Sequence, residues 1–463
     1  MFTEVYKQNI GLIDGLLAPD KSFDLIKRRL IAGKNELTLY YVDGLVKDET
    51  MLKLMQVFTS LKALPDSATE FADTNVPYVE VETTDDENKA IFMVLSGGVA
   101  ILGDTFGGEA VLIDARTYPV RGVEEPESDK VMRGARDGFV ETLIFNTALI
   151  RRRIRDTRLR IEYKTVGDVS KTDVAVVYLD GEADEKYVKW LSEKIDSIRT
   201  ESLSMGHQSL AECLIGKKWY NPFPKIRYTE RPDTAAAHIL EGHVLILCDT
   251  SPDAMILPTT IFDFLQETSD YYFPPFTGTY MRVLRHVIFW LTLFLVPLWY
   301  LFVMHPHLVP DWLAFILPKE RGAIPIAAQL FLVEFAIDGL KLASMNTPSM
   351  LSNSLSVIGG LILGDFAVDI GWLIPEVILY MAFVAISNFT QASYELGYAV
   401  KFMRMLLLGT TALFGVWGFC LGLLFIITLI ATNANLNRRR SYLYPLIPFN
   451  GKAMCRLLFR VKK

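Results

Sequence analysis

Glu334, Asp338 and Lys341 fall within the otherwise apolar run of residues 325–341, PIAAQLFLVEFAIDGLK. At 100° per residue, positions i, i+4 and i+7 share one stripe of a helix, and Leu330, Phe331, Val333, Phe335, Ile337 and Leu340 cover most of the rest. Asp365 and Asp369 repeat the i, i+4 spacing in the next apolar run, with Val368 between them. A charge facing lipid costs about 2.5–3.5 kcal/mol at the bilayer centre, so these carboxylates must face protein, water or a pore. Repeated around a symmetry axis, each carboxylate becomes a ring, and acidic rings attract cations. The stripes predict Glu334 and Asp338 in an outer vestibule on a non-spanning helix. They predict Asp365, Val368 and Asp369 along a spanning pore, with Val368 as its constriction. A competing reading pairs the carboxylates with Lys401 or Arg404 in a packed bundle, and Asp338 with Lys341 three residues away.

A second candidate set is basic. Arg151, Arg152 and Arg153 form a run suited to a helix face or a subunit contact, and less well to anionic headgroups or nucleic acid. In NPFPKIRYTERPD, residues 221–233, three prolines predict an extended linker. Its Arg227, Glu230 and Arg231 are placed to bridge subdomains or neighbouring subunits, or to bind a ligand. Asp43 and Asp180 each precede a glycine at a strand end, where a turn is the better reading than catalysis. No nucleophile motif or phosphate loop occurs. Cys213, Cys248, Cys420 and Cys455 lie far apart, and His305 with His307 is too small a set for a metal. The expectation is a protein without catalytic residues, cofactor or metal, and without nucleic acid as a partner.

These residues need elements to hold them. The chain has 463 residues, 51% of them apolar. Up to about residue 280 charged and apolar residues alternate as in a soluble α/β chain, whereas residues 286–431 are dominated by long apolar runs. Runs 287–304 and 405–431 reach the roughly 20 residues that a bilayer core requires. Residues 352–372 and 374–390 predict a helical hairpin bent at 371–375. Residues 437–463 hold eight Lys or Arg and no acid, and Arg282 and Arg285 precede the first span, so both ends are expected in the cytoplasm. Two ends on one side require an even number of spans. The most charged segment, 324–344, is therefore expected as a re-entrant or interfacial helix beside four spans. The N-terminus, MFTEVYKQNIGLIDGLL, has no basic start followed by an apolar core, so no cleavable signal is expected.

The N-terminal half also repeats itself. LIKRRLI (25–31) matches LIRRRIR (149–155), YVDG (41–44) matches YLDG (178–181), and LSGGVAILGDT (95–105) matches LEGHVLILCDT (240–250) at seven of eleven positions. The matches predict two copies of helix, strand ending in Asp-Gly, helix and further strands, with Gly97 equivalent to Gly242. The acidic stretch 66–89 reads as an interruption of the first copy. The fold expected is an α/β N-terminal half of two similar subdomains plus an α-helical polytopic membrane domain. Its boundaries are 1–117, a linker at 118–136, then 137–280, a membrane domain at 281–432 and a basic tail at 433–463.

RGARDGFVETLIFNTALIRRRIRD, SKTDVAVVYLDGEA, NPFPKIRYTERPDTAAAHILEGHVLILCDTSP and the membrane half together resemble the GerA family of spore germination proteins, A-subunit type, over about residues 40–450. The resemblance implies a spore inner-membrane protein acting in germination as a homo-oligomeric channel for monovalent cations, with pentamers expected. A small membrane partner and germination receptor subunits are further partners it suggests. Two other roles stay open: a nutrient sensor whose subdomains enclose a ligand, and a non-conducting scaffold. Where the family often has Pro, this chain has Ala135 and Ala392, and the second leaves the helix around Thr390 free to run on.

Overall fold

The computed structural model describes residues 1–117, 134–215, 220–320, 322–346, 367–433 and 441–459. They form two compact units, Met1–Lys217 with Ile226–Thr259, and Lys218–Lys225 with Thr260–Lys463. Residues 260–280 thus belong with the helical unit, and the boundary read from composition falls some twenty residues too late. The run NPFPKIRYTERPD divides as well, Lys225 belonging to the helical unit and Ile226 to the sheet unit.

The sheet unit contains the same order of elements twice. The first copy is α1 (Tyr6–Leu17), β1 (Leu25–Ala32), β2 (Asn35–Val42), α2 (Asp48–Ser60), α3 (Ala68–Asn75), β3 (Val81–Thr84), α4 (Glu87–Leu95), β4 (Val99–Gly103) and β5 (Ala110–Ile113). The second is α5 (Leu143–Arg153), β6 (Leu159–Val166), β7 (Thr172–Leu179), α6 (Glu185–Asp196), α7 (His207–Ile215), β8 (Arg227–Thr229), α8 (Pro232–Leu240), β9 (Val244–Cys248) and β10 (Ala254–Leu257). The strand orders correspond, β1-β2-β4-β5-β3 and β6-β7-β9-β10-β8, and every pairing is antiparallel.

Burial explains the strands. VAILG of β4 and VLILC of β9 are buried at every position, as central strands covered on both faces must be. In the first copy, Leu37, Leu39, Ile101 and Val111 pack with Leu54, Phe58 and Phe71 of α2 and α3. The opposite face, with Tyr40, Val42, Ala100 and Leu102, packs with Ile13 and Leu17 of α1 and Ile91 and Val94 of α4. Gly97 and Gly242 take positive φ, +98° and +86°. They stand two residues before β4 and β9, at equivalent turns where a side chain would be strained.

Two readings of the repeat are corrected. LIKRRLI is strand β1, paired along its length with β2, whereas residues 149–153 of LIRRRIR end helix α5. The counterpart of α5 is α1, and that of β1 is β6. Nor is the stretch 66–89 an interruption. It holds α3 and β3, and these correspond to α7 and β8.

The helical unit comprises α9 (Ser269–Tyr272), α10 (Pro275–Met304), α11 (Ile326–Asn346), the single turn α12 (Ala367–Asp369), α13 (Pro375–Phe389), α14 (Tyr394–Thr432) and α15 (Gly451–Leu458). Among the described residues, α10 and α14 are long and apolar enough to cross a membrane, although α14 is broken at Gly415 (φ +57°, ψ −134°) into two helical stretches, and α13 is a shorter apolar helix. Residues 352–366 of the expected hairpin lie outside the described residues, but its bend falls at Gly371, φ +71°, before α13 begins at Pro375. The helix expected over 374–390, which Ala392 leaves free to run on, stops at Phe389, and Ser393 starts the next one by accepting from the Leu396 N–H at 3.3 Å. A serine N-cap supplies the boundary that proline would have supplied.

Candidate functional site

The charged stripe of α11 meets α14. Arg404 Nη2 donates to both carboxylate oxygens of Glu334, at 2.7 and 2.8 Å, and Arg404 Nη1 donates to the Thr292 carbonyl of α10 at 3.2 Å. Lys401 Nζ lies 3.3 Å from Glu334 Oε1 and pairs closely with Asp338. Lys401 and Arg404 are one turn apart on α14, and Glu334 and Asp338 one turn apart on α11, so two i, i+3/i+4 stripes oppose each other. Glu334, Lys401 and Arg404 are buried. Asp338 keeps 43% of its side chain exposed.

The Glu334 carboxylate is thus taken up within the chain by Arg404 and Lys401, as in the packed-bundle alternative. Lys341 does not pair with Asp338 either. Its ammonium stands over the rings of Tyr398, Phe389 and Tyr394, at 4.7, 5.2 and 6.0 Å from their centroids, a cation–π site at the junction of α11, α13 and α14. Val368 is half-buried and Asp369 exposed, both in α12. Asp365 lies outside the described residues. Gln329, which the charge pattern passes over, is fully buried and pins the start of α11. Its amide donates to the Ile324 carbonyl at 2.7 Å, and its oxygen accepts from the Ile374 N–H at 3.0 Å.

Around these inward charges the exterior is apolar. Leu413, Phe414, Trp417, Leu421 and Leu424 of α14 and Trp290 of α10 all have at least half of their surface exposed. Charges within and large apolar side chains without is the reverse of a water-soluble bundle.

The basic candidates of the sheet unit divide by partner. Arg151, at the end of α5, is fully buried and reaches the first copy. Its Nε and Nη2 donate to Asp24 at 2.8 and 3.1 Å, and Nη2 also approaches Ser22 Oγ and the Leu159 carbonyl. Ser22 in turn accepts from the Ile161 N–H at 3.0 Å, so the loop before β1 is stitched to β6. Arg153 grips Asp137 with two 2.6 Å hydrogen bonds, and Arg152 is exposed. Arg227 donates to His238 Nε2 at 3.2 Å. Arg231, fully buried, holds Asp233 at 2.7 and 3.0 Å and the Ala135 carbonyl at 2.9 Å. The Glu230 carbonyl accepts from the Phe139 N–H at 2.8 Å. These contacts of Arg227, Glu230 and Arg231 lie within the second copy and the segment that leads into α5.

As a class, this is a chain of two parts: a sheet unit built twice on one topology, and a helical unit with paired charges inside and apolar side chains outside. A family model described as Bacillus/Clostridium GerA spore germination protein matches residues 16–463, and the chain belongs to that family. It is 40% identical over 464 residues to stage V sporulation protein AF of Bacillus subtilis, covering 99% of this chain and 92% of that one. It is 27% identical over 450 residues to spore germination protein KA of the same organism, covering 95% and 82%. Among solved structures it is similar to the N-terminal domain of the A subunit of the Bacillus megaterium spore germinant receptor GerK3, at 25% identity and TM-score 0.41, covering 55% of this chain and 95% of that one.

Proposed function

We propose that this protein acts in spore germination as a multi-pass protein of the spore inner membrane, and that several copies assemble around an axis to conduct monovalent cations. The observation that carries the reading is the inverted polarity of the helical unit, with Glu334, Lys401 and Arg404 buried and the α14 exterior apolar. Membrane insertion favours that arrangement, because mutual pairing removes the cost of isolated charges. In this reading Glu334 holds the bundle together. Asp338, partly exposed beside Lys401, and the exposed Asp369 face the ion path with Val368 and, beyond the described residues, Asp365. The sheet unit and the basic tail occupy the cytoplasmic side, and the relatives named for germination support assembly with other germination proteins.

Planar-bilayer recording of the detergent-purified chain tests this. Asp369→Asn together with Asp365→Asn should lower cation conductance severalfold without dissociating the assembly, and Val368→Ala should raise the leak. A monomeric mass in detergent, or unchanged conductance in an assembled double variant, overturns the channel. Ready modification of Ser441→Cys from outside intact cells overturns the topology.

A further inference from the structure

We propose that His238, Glu241 and His243 form a site for a divalent transition-metal ion, and that the ion competes with Arg227 for His238. The three residues lie in HILEGH, at and just beyond the end of α8. Gly242, at φ +86°, folds the chain back on the helix. The His243 N–H then reaches the His238 carbonyl at 3.0 Å, and the two imidazoles meet edge to face with centroids 4.9 Å apart. One ligand atom from each of the three residues lies within 4.8 Å of the other two. Bound zinc sits about 2.0–2.2 Å from nitrogen and carboxylate ligands, so modest side-chain rotation closes the set.

The hydrogen bonds define which nitrogens are on offer. His243 Nδ1 lies 3.2 Å from the His238 carbonyl oxygen. A carbonyl only accepts, so in the neutral ring Nδ1 carries the proton and Nε2 keeps its lone pair. A backbone carbonyl fixes the tautomer of metal-ligating histidines in the same way. His238 Nε2, by contrast, accepts from Arg227 Nη1 at 3.2 Å. A metal at Nε2 displaces Arg227 directly. A metal at Nδ1 drives the ring proton to Nε2, which then faces a donor, and Arg227 must turn away. By either route the metal and the Arg227 contact exclude each other. Two imidazoles and a carboxylate suit Zn²⁺, Co²⁺ or Ni²⁺, with water completing the coordination. Arg227 opens the edge strand β8, opposite Ile256 of β10, so the exchange acts on the margin of the second sheet.

Calorimetric titration of the full chain in detergent with Zn²⁺, and the visible absorption of added Co²⁺, test the site. One ion per chain is expected, with affinity weakened at least tenfold in His243→Ala and in Glu241→Gln. His243→Cys, which keeps a ligand, should retain Zn²⁺ binding, and His207→Ala should leave it unchanged. Arg227→Gln should bind more tightly, because the competitor is gone. Absence of binding, or binding undiminished in His243→Ala, overturns the site. Weaker binding in Arg227→Gln at an unchanged melting temperature overturns the competition.

Discussion

Arg151 in the sheet unit and Arg404 in the helical unit are both buried, and each grips a carboxylate with two hydrogen bonds. Their settings differ. Arg151 joins two sheets that each own a full apolar core, and the alternative environment for its charge is water. Burying such a pair is seldom a net gain in stability, and its use is to set how the two copies meet. Arg404 joins helices whose outer surface is apolar, and in a bilayer the alternative environment for its charge is hydrocarbon. There pairing would offset a cost of about 2.5–3.5 kcal/mol per charge at the bilayer centre. One motif of chemistry orients in the first region and neutralises in the second.

The largest effect that would break this comparison is expected at Glu334. Glu334→Ala leaves Lys401 and Arg404 with Asp338 alone, and removing one partner of a buried pair costs about 3–5 kcal/mol. Size-exclusion chromatography of the detergent-purified variant should show little monodisperse protein, and Glu334→Leu with Arg404→Met should recover much of it. A Glu334→Ala variant as stable as the parent would leave the cluster without a neutralising role. Asp24→Ala strands Arg151 and should cost about 3 kcal/mol. Hydrogen exchange of the full chain should then show faster amides in β1 and β6, and near-normal protection in Asp24→Leu with Arg151→Met.

Two smaller effects sharpen the repeat within the sheet unit. Alanine at Gly242 forces a positive φ and puts Cβ 2.7 Å from the Glu182 carbonyl oxygen, while alanine at Gly97 meets the Leu45 side chain at 3.0 Å. Both should destabilise the sheet unit and so lower its melting temperature, Gly242→Ala at a cost of about 2 kcal/mol and Gly97→Ala of about 1, since Leu45 Cβ and the Leu45 carbonyl oxygen, at 3.0 and 3.2 Å, crowd Gly97 less closely than the Glu182 oxygen crowds Gly242. The smallest effect is kinetic. Burial in β9 pushes the Cys248 thiol up to about 12, so the thiolate is scarce at neutral pH and its fraction grows only as pH approaches that value. Maleimide at pH 8 should label the exposed Cys455 and spare Cys248 until the sheet unfolds. Rapid labelling of Cys248 in the folded chain would contradict a closed second sheet.

Much of the repeat was legible because its signals are local. Asp-Gly at the ends of β2 and β7 marks turns with left-handed glycines, Gly44 at +75° and Gly181 at +81°. Val-x-Ile-Leu marks strands that alternate into two covered faces. LIKRRLI and LIRRRIR were misread because seven residues with a run of arginines fit a period of 2 or of 3.6 equally well. The first copy resolved this by hairpin pairing with β2, the second by packing Leu149 and Ile150 into the core of its sheet. The His238, Glu241 and His243 cluster escaped notice because its spacing follows no single periodicity. Only the turn at Gly242 brings it together.

Composition alone determined which half carries the long apolar runs, since apolar content over twenty residues is additive and needs no partner. It also established that the carboxylates of α11 require a destination. Which destination was a tertiary decision: Glu334 meets Arg404 seventy residues on, and Asp24 meets Arg151 at a separation of 127. Sequence carries the sign of each charge but not its neighbour. Within a low-dielectric interior the interaction is decided by distances of a few ångströms, which exist only once the helices and sheets have packed.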